Sequence, residues 1–451
     1  MRFTAYPKYK PSGVAWLGDV PEHWEIVPLK HLCVRSALYG ANIAGEDYVQ
    51  DGVRFLRTTD IDDFGQLQPG GVFIEPEQAQ GYELSDGDLL LSRSGTIGRA
   101  FVYAARQHPK SAYAGYLVRF VPSSRLNPNF AFYFTKGLAF RDWLDTQVIS
   151  STIGNVNGQK YAQCPLPLAD RIEQDAIVEF LDREAAKIDT LVSKKRTLIE
   201  RLKEKRTALI SRTVTCGLPP DAARAAGVDP HPKLKPSGID WLGEVPAHWN
   251  VLPFIKYVAE RSDYRGKTPE KTEDGVFLVT AKNVRMGFID YESSQEYVAA
   301  DEYDEIMRRG LPKIGDILFT TEAPLGNIAL VDREDVAMAQ RIIRFRMKPK
   351  YFIASFALYG MMSDHFQWQL QSLSTGSTAE GLKASKLPIL RLVAPPAKEQ
   401  HAIASFLLAE TAKIGSMVGK VEAAIERLQE YRTALITAAV TGMIDVRGAV
   451  A

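Results

Sequence analysis

Two polar loops lie at matching places in the two halves of this sequence, and each follows a short apolar run. The first reads Ser92-Arg-Ser-Gly-Thr-Ile-Gly-Arg99 and the second reads Thr320-Thr-Glu-Ala-Pro-Leu-Gly-Asn327. Arginine can donate two hydrogen bonds to one guanine, and serine or threonine can contact bases or phosphates. Glycine lets the backbone approach a ligand closely. One such loop is explained equally well as a solvated turn, but matching loops in both halves favour nucleic-acid binding.

A second pair of polar loops lies upstream, at Arg57-Thr-Thr-Asp60 and Val279-Thr-Ala-Lys-Asn283. We call these the upstream loops, and we call residues 92–99 and 320–327 the downstream loops. The second downstream loop has Thr321-Glu-Ala-Pro324 where the first has Arg93-Ser-Gly-Thr96, so a base contact expected of Arg93 does not carry over by position. The candidate DNA-contacting residues are Arg57, Thr58, Thr59, Arg93, Ser94, Thr96, Arg99, Thr280, Lys282, Asn283, Thr320, Thr321 and Asn327.

Several catalytic motifs are missing from the chain. A phosphate-binding loop requires GxxxxGK[ST], but Arg261 occupies the first glycine position before Gly266-Lys-Thr268. No acid stands two residues before a lysine, as a restriction-type nuclease core requires, and neither Pro-Pro pair fits the amino-methyltransferase motif [DNS]PP[YFW]. We therefore predict no catalytic residue and no cofactor.

Metal-binding patterns are also missing. The three cysteines are far apart without a CxxC, which argues against a zinc site and fits a reducing cytosol. His23 and His248 occupy equivalent Pro-x-His-Trp turns, and the two turns share no second ligand or neighbouring carboxylate, since Glu22 precedes His23 but Ala247 precedes His248. We therefore predict packing and hydrogen-bonding roles for both histidines, fold-anchoring roles for Trp24 and Trp249, and no metal site.

The charges nearly cancel, since 55 Lys and Arg residues face 54 Asp and Glu residues. Bulk charge alone therefore predicts neither a nucleic-acid nor a membrane partner, although it does not exclude a local basic face. No run approaches about 18 consecutive apolar residues, so we expect no membrane span and a cytoplasmic location.

The chain is an internal duplication. Residues 7–31 and 232–256 are identical at 14 of 25 positions without a gap, and the Gly87-Asp88, Glu173-Gln174 and Arg206-Thr-Ala-Leu-Ile210 segments also recur. Since the middles of the two copies differ, the two units are expected to perform one task on two different targets.

Each copy has a globular part followed by a helical part. The globular parts contain short strand patterns, and each is expected to contain one helix, over 129–144 and 351–370. The predicted strands are 53–57, 88–92, 116–120, 276–280, 316–320 and 341–346.

The helical parts have apolar residues at sustained 3-4 spacing, which indicates a coiled-coil seam between two long helices. We expect the two helices to pack antiparallel, with equivalent seam residues meeting each other. The seam residues, also candidates for partner docking, are Ile188, Val192, Ile199, Leu202, Ile414, Val418, Ile425 and Leu428.

The predicted fold class is α+β, with two mixed α/β globular domains joined by two long antiparallel coiled-coil helices in a pseudo-two-fold duplication. The Pro-rich segment between the copies is expected to be an exposed linker. The expected boundaries are 1–168 and 236–396 for the globular domains, 169–215 and 397–441 for the helices, 216–235 for the linker and 442–451 for a tail.

The repeated YPKYKPSGVAWLGDVPEHW opening, the GDLLLSRSGTIG segment and the helix ending in RTALI resemble the specificity subunits of type I restriction-modification enzymes. This resemblance implies a DNA-binding subunit without catalysis of its own, whose two globular domains each read one half of a split double-stranded site. It also implies two modification (methyltransferase) subunits and a restriction/translocase subunit as partners. Two alternatives stay open: an anti-restriction or scaffold protein that binds the modification subunit without reading DNA, and a stand-alone DNA methyltransferase.

Overall fold

A computed structural model describes residues 4–147, 155–264, 269–374 and 381–449 of the chain. The chain forms two compact units. The first contains Met1–Lys195 together with Glu422–Ala451, and the second contains Arg196–Val421. Each unit therefore combines one globular part with part of both long helices.

The first unit is built on a four-stranded antiparallel sheet in the order β4-β10-β7-β8 and a three-stranded sheet in the order β6-β5-β9, in which β5 and β9 are parallel. Its strands are β1 (Tyr9–Pro11), β2 (Asp19–Pro21), β3 (Glu25–Pro28), β4 (Cys33–Tyr39), β5 (Val53–Leu56), β6 (Val72–Ile74), β7 (Leu89–Ser92), β8 (Ala100–Val102), β9 (Ser111–Tyr113), β10 (Leu117–Pro122) and β11 (Pro165–Leu168). Its helices before the long one are α1 (Pro76–Ala79), α2 (Pro128–Lys136), α3 (Leu138–Gln147) and α4 (Gly158–Ala162).

The long helix α5 (Arg171–Cys216) and the short helix α6 (Pro220–Ala225) lead to the second globular part, which repeats the sheet orders as β15-β23-β20-β21 and β19-β16-β22. Its strands are β12 (Leu234–Pro236), β13 (Glu244–Pro246), β14 (Asn250–Pro253), β15 (Val258–Asp263), β16 (Val276–Val279), β17 (Val284–Arg285), β18 (Phe288–Ile289), β19 (Tyr297–Val298), β20 (Ile317–Thr320), β21 (Ile328–Leu330), β22 (Val336–Met338), β23 (Ile342–Met347) and β24 (Arg391–Ala394). Its helices are α7 (Tyr303–Ile306), α8 (Ala354–Met362), α9 (Asp364–Leu373) and α10 (Ala397–Val440).

The predicted strands are confirmed, but each predicted globular helix is broken in two. The breaks fall at Gly137 and Ser363, where the backbone is extended. The N–H after each break donates to a hydroxyl on a long helix, from Leu138 to Thr437 Oγ1 (2.9 Å) and from Asp364 to Ser211 Oγ (2.8 Å). A hydroxyl on the neighbouring helix thus satisfies an amide that a continuous helix would have bonded internally.

The two long helices pack antiparallel within each unit, as predicted. In the first unit, residues early in α5, such as Ile177, share a core with Val440 at the end of α10, and Asp189 pairs with Arg432 at 3.3 Å. Ile188 therefore lies near Arg432, which comes well after Ile414, the counterpart of Ile188, along α10. The expectation that Ile188 meets its counterpart is wrong.

The seam positions themselves lie on the packed side of the helices. Ile188, Val192, Ile199 and Ile414 are buried, whereas the remaining four are half-buried. Those four are Leu202, Val418, Ile425 and Leu428.

The segment expected to be an exposed linker is partly ordered. It contains α6, whose first residue is Pro220, and Ala223 is buried. Proline favours the first turn of a helix because its φ is already helical and its missing N–H has no intrahelical partner there. The Lys398 ammonium donates to the Gly227 carbonyl (2.7 Å), which fixes the chain just after α6 to the start of α10.

Among the described residues, α10 is long and apolar enough to cross a membrane by length and composition alone. Residues near its start, such as Leu407, lie in the core of the second unit, and residues near its end, such as Val440, lie in the core of the first. This helix therefore has protein neighbours for its apolar face.

Candidate nucleic-acid interface

The downstream loops are hairpin turns between the third and fourth strands of each four-stranded sheet. One joins β7 to β8, and the other joins β20 to β21. The upstream loops follow β5 and β16, the central strands of the three-stranded sheets. Each unit therefore brings its two polar loops together from two different sheets.

The upstream loops are closed by equivalent side-chain caps. The Arg57 N–H donates to Asp60 Oδ2, and the Thr280 N–H donates to Asn283 Oδ1, both at 2.8 Å. The Arg57 guanidinium also donates twice to the Asp60 carboxylate. The buried Asn283 amide donates to the Asp290 carbonyl at 2.9 Å. Arg57, Thr280 and Asn283 thus serve the loop fold, which makes them poor candidates for reading bases.

The last residue of each downstream loop fixes the two loops to each other. Arg99 donates to the Ile61 carbonyl at 2.7 Å, and Asn327 donates to the Val284 carbonyl at 2.8 Å. Arg99 also forms an ion pair with Asp63. The side chains of Arg99 and Asn327 are therefore occupied by equivalent internal bonds.

The first residue of each downstream loop accepts a hydrogen bond from the last. Ser92 Oγ accepts the N–H of Arg99 at 3.0 Å, and Thr320 Oγ1 accepts the N–H of Asn327 at 2.9 Å. Both hydroxyl-bearing residues are buried, so Thr320 is a loop-closing residue. Thr320 and Asn327, which the sequence predicts as DNA contacts, thus have their side chains engaged in internal bonds of the loop.

Other candidates remain accessible. Thr59, Thr96 and Lys282 are exposed, and Thr58, Arg93 and Ser94 are half-buried. Thr321 is buried, and its hydroxyl donates to the Arg341 carbonyl at 3.2 Å.

Each four-stranded sheet contains a buried Arg–Asp pair that sequence reasoning missed. Asp88 pairs with Arg119 at 2.7 Å, and Asp316 pairs with Arg344 at 2.6 Å. The same carboxylates accept backbone N–H groups, from Ser85 to Asp88 and from Lys313 to Asp316. The repeated Gly-Asp before a strand thus forms a turn, and its carboxylate also binds an arginine on the neighbouring strand. The recurrence of Gly-Asp in both copies is the sequence signal that indicates this role.

The two carboxylates differ in their pKa. Burial raises the pKa of Asp88, and its bonds to Ser85 and Arg119 offset this only in part. Burial alone would also raise the pKa of Asp316, but hydrogen bonds from Arg346, Lys313 and Arg344 hold it below its ordinary value. The second unit therefore has the more stabilised carboxylate at this position.

Each histidine that precedes a core tryptophan contacts a carboxylate from the first turn of a long helix. His23 Nε2 lies 2.9 Å from Glu173 Oε2, and His248 Nε2 lies 2.6 Å from Glu399 Oε1. The tryptophans are buried anchors, as predicted. The expectation that the two histidines share no neighbouring carboxylate is wrong in the folded chain. The sequence does not show these partners, because about 150 residues separate each histidine from its glutamate.

The glutamine that follows each glutamate completes this joint. Gln174 accepts the N–H of Asn127 and donates to the Arg125 carbonyl, and Gln400 accepts the N–H of Ile353 and donates to the Tyr351 carbonyl. The repeated Glu-Gln pair therefore fixes the start of each long helix to its globular part. No group of acids, histidines or cysteines suited to hold a metal occurs among the residues that the structure describes.

Residues 21–201 and 280–427 match the family model described as the type I restriction modification DNA specificity domain. The type I restriction enzyme MjaVIII specificity subunit of Methanocaldococcus jannaschii is 22% identical over 375 residues, which are 81% of this chain and 80% of that protein. The type I restriction enzyme StySPI specificity subunit of Salmonella potsdam is 20% identical over 206 residues, 44% of each chain.

A solved structure also has this fold. It comes from work on the structural basis underlying complex assembly and conformational transition of the type I R-M system. It aligns with a TM-score of 0.62 at 14% identity over 93% of this chain and 98% of that chain.

Proposed function

Because the chain belongs to the family of the type I restriction-modification DNA specificity domain, we propose that it is the specificity subunit of a type I restriction-modification complex. It reads a bipartite, asymmetric site on double-stranded DNA, with one half-site for each globular part. Methylation and cleavage are carried out by other subunits, and this chain needs no cofactor of its own.

One observation carries the proposal. The two units close their loops with equivalent internal bonds, such as Arg99 to Ile61 and Asn327 to Val284, yet they present different side chains at the surface. Proteins with two-fold symmetry bind paired half-sites at a fixed separation. A duplicated protein that keeps its loop fold and changes its surface is therefore suited to reading two half-sites of different sequence.

The partners in this proposal are double-stranded DNA, two modification subunits and one restriction/translocase subunit. The modification subunits dock on the long helices, around the seam residues named above. Exposed apolar side chains on these helices, including Leu191, Leu198, Leu408 and Met417, support docking there, because large apolar side chains in contact with water often mark protein interfaces. We place the complex in the cytoplasm, without a membrane contact.

The proposed target-recognition domains are residues 1–168 and 236–396. The proposed spacer and docking helices are residues 169–215 and 397–441. The joints at Glu173-Gln174 and Glu399-Gln400 support these boundaries, since each helix is fixed to its own globular part at its first turn.

The test is methylome sequencing of cells that express this chain with its modification subunit. The proposal expects methylated adenines in a split motif that depends on this chain. A methylome that is identical with and without the chain would contradict it. Binding of the assembled complex to DNA should also weaken steeply with salt, whereas a scaffold that reads no DNA would show no such binding.

A further inference from the structure

Three chain segments meet at one end of each four-stranded sheet, and we call this place the sheet end. In the first unit, the Arg93 N–H donates to the Tyr116 carbonyl (2.9 Å), and the Val156 N–H donates to the Arg93 carbonyl (3.0 Å). In the second unit, the same two bonds run from Thr321 to Arg341 (2.9 Å) and from Leu382 to Thr321 (3.0 Å). Arg93 therefore corresponds to Thr321, and Tyr116 corresponds to Arg341.

Each sheet end has one arginine in this pair of residues. The arginine belongs to one strand in the first unit and to the neighbouring strand in the second. In the first unit the arginine follows β7 and an exposed tyrosine precedes β10. In the second unit a threonine follows β20 and an exposed arginine precedes β23. The guanidinium has thus moved to the neighbouring strand while the backbone pairing has stayed the same.

The first guanidinium is held by an aromatic ring. Arg93 lies over the Tyr39 ring at 5.0 Å from its centroid, and Tyr39 Oη in turn accepts the N–H of Gly158 at 2.9 Å. The Arg93 Nε is buried without a hydrogen-bond partner among the described residues. No described carboxylate forms an ion pair with Arg93, so its terminal N–H groups are available to a ligand.

The second guanidinium is held by a carboxylate. Arg341 Nε lies 3.1 Å from Glu322 Oε1, and about half of each side chain is exposed. The Arg341 backbone has a φ of 77°, a conformation that bulky residues other than glycine rarely adopt. An ion pair through Nε leaves the terminal N–H groups of the guanidinium free to point elsewhere.

Building on the proposed function, we propose that Arg93 reads a guanine in the first half-site and that Arg341 reads a guanine in the second. Tyr39 and Glu322 are positioning residues that orient these two guanidinium groups. Arginine is suited to this task because its planar fork of donors matches the O6 and N7 acceptors of guanine. The other arginines of the loops, Arg57 and Arg99, are occupied by internal bonds.

The test uses the complex of this chain with its modification subunits and duplexes that contain its methylome-defined site. Each guanine is replaced in turn by 7-deazaguanine, which lacks the N7 acceptor. For one guanine in each half, wild-type affinity should fall on the order of 5-fold, since a full two-bond contact is worth roughly 5- to 150-fold. We call the affinity for the guanine duplex divided by that for the 7-deazaguanine duplex the guanine to 7-deazaguanine ratio. In Arg341→Ala this ratio should become one in the second half-site only, and in Arg93→Ala it should become one in the first half-site only.

The control variants remove a comparable charge from the opposite end of the same hairpins. Arg106 is exposed in the turn after β8, and Arg333 is paired with Asp335 in the turn after β21. Arg106→Ala and Arg333→Ala should keep the ratios of the wild type. Arg341→Lys, which keeps the charge but lacks the planar fork, should give a ratio between those of the wild type and Arg341→Ala.

Glu322→Gln separates positioning from simple charge. Removing a negative charge near DNA should strengthen binding to every duplex, whereas loss of orientation should lower the guanine to 7-deazaguanine ratio. Both changes together support a positioning role, and an unchanged ratio contradicts it.

Three results would overturn the inference. Arg341→Ala could keep the wild-type ratio, or it could lose the ratio equally in both half-sites. Arg341→Ala could also bind all duplexes more weakly by the same factor, with the slope of log affinity against log salt concentration reduced by about one. That result would indicate a phosphate contact. A wild-type complex that has no preferred site would instead contradict the proposed function, and this outcome is visible before any variant is made.

Discussion

In the first unit, the buried Asp88 pairs with one arginine, Arg119, whereas the equivalent Asp316 of the second unit pairs with both Arg344 and Arg346. Both carboxylates nevertheless accept a backbone N–H from the turn before their strand. The comparison teaches that the duplicated sheet keeps the bond that shapes its backbone and tolerates a different number of cations around it.

The surface differs more than this interior. At the sheet end, the first unit stacks Arg93 on Tyr39, and the second unit pairs Arg341 with Glu322. Side chains that bond to backbone groups are thus retained in equivalent roles, and side chains that point outward have diverged. This is the pattern expected when two copies share one fold and recognise different targets.

The largest expected effect comes from removing Arg119, the one cation that pairs with Asp88 among the described residues. Arg119→Ala should lower the local free energy of unfolding by about 3–5 kcal/mol, because a buried carboxylate is left without a cation. Arg346→Ala should cost less, since Arg344 still pairs with Asp316. Hydrogen exchange in β7 and β10, compared with β20 and β23, measures both.

A matched double variant checks the cause of this effect. Replacing both members of the first pair, as Asp88→Asn with Arg119→Met, should recover much of the loss, because no buried charge then lacks a partner. Equal costs for Arg119→Ala and Arg346→Ala would contradict the comparison.

The core tryptophans offer a second, smaller test. The Trp249 indole N–H donates to Glu399 Oε2 at 2.9 Å, whereas the Trp24 indole N–H has no partner among the described residues. Tryptophan-to-phenylalanine replacement removes the same volume in both units. Trp249→Phe should therefore cost about 1.5–3 kcal/mol more than Trp24→Phe, the usual worth of a hydrogen bond to a charged group.

Hydrogen exchange in β14 and β24, compared with β3 and β11, gives this difference. The four strands occupy equivalent places, since β3 pairs with β11 and β14 pairs with β24. Equal costs in the two units would show that the Trp249 bond adds nothing.

The smallest expected effect is a difference in acid sensitivity. The pKa of Asp316 lies below its ordinary value in the folded state, so the stability it contributes is present above about pH 4 and is lost as the pH falls through the folded pKa. The pKa of Asp88 is raised by burial, so acidification in its range stabilises the fold.

Hydrogen exchange in β20 and β23 should therefore speed up, after correction for intrinsic rates, as the pH falls from about 6 to 3. Exchange in β7 and β10 should show no such loss from Asp88. Asp316→Asn removes the titrating group and should flatten the response in the second unit; a response that persists in this variant would exclude Asp316 as its source.

Much of this architecture could be predicted from the sequence, because its signals are local or repeated. The repeated opening indicated the duplication, and the 3-4 spacing indicated the two long helices. The downstream loops were located from the apolar strands before them. These features depend on neighbours in the chain and on comparison of the two copies.

The roles of individual polar residues could not be predicted in this way. Arg99 looks like a base-reading residue in the sequence, yet it donates to the carbonyl of Ile61 in a different loop. Residues shared by both copies, such as Glu173 and Glu399, serve the joints, whereas Tyr116 and Arg341 differ between copies and lie at the surface. Comparing the copies position by position does not fully separate these two classes, because Arg99 and Asn327 differ in type and yet make equivalent internal bonds.

The central claim is that each globular part reads its own half-site. The most direct measurement is the methylome of cells that express the modification subunit with a chain in which residues 236–396 are replaced by a second copy of the equivalent residues 11–170. The account predicts a split motif in which both halves have the sequence of the wild-type first half-site. A motif that keeps the wild-type second half would contradict it.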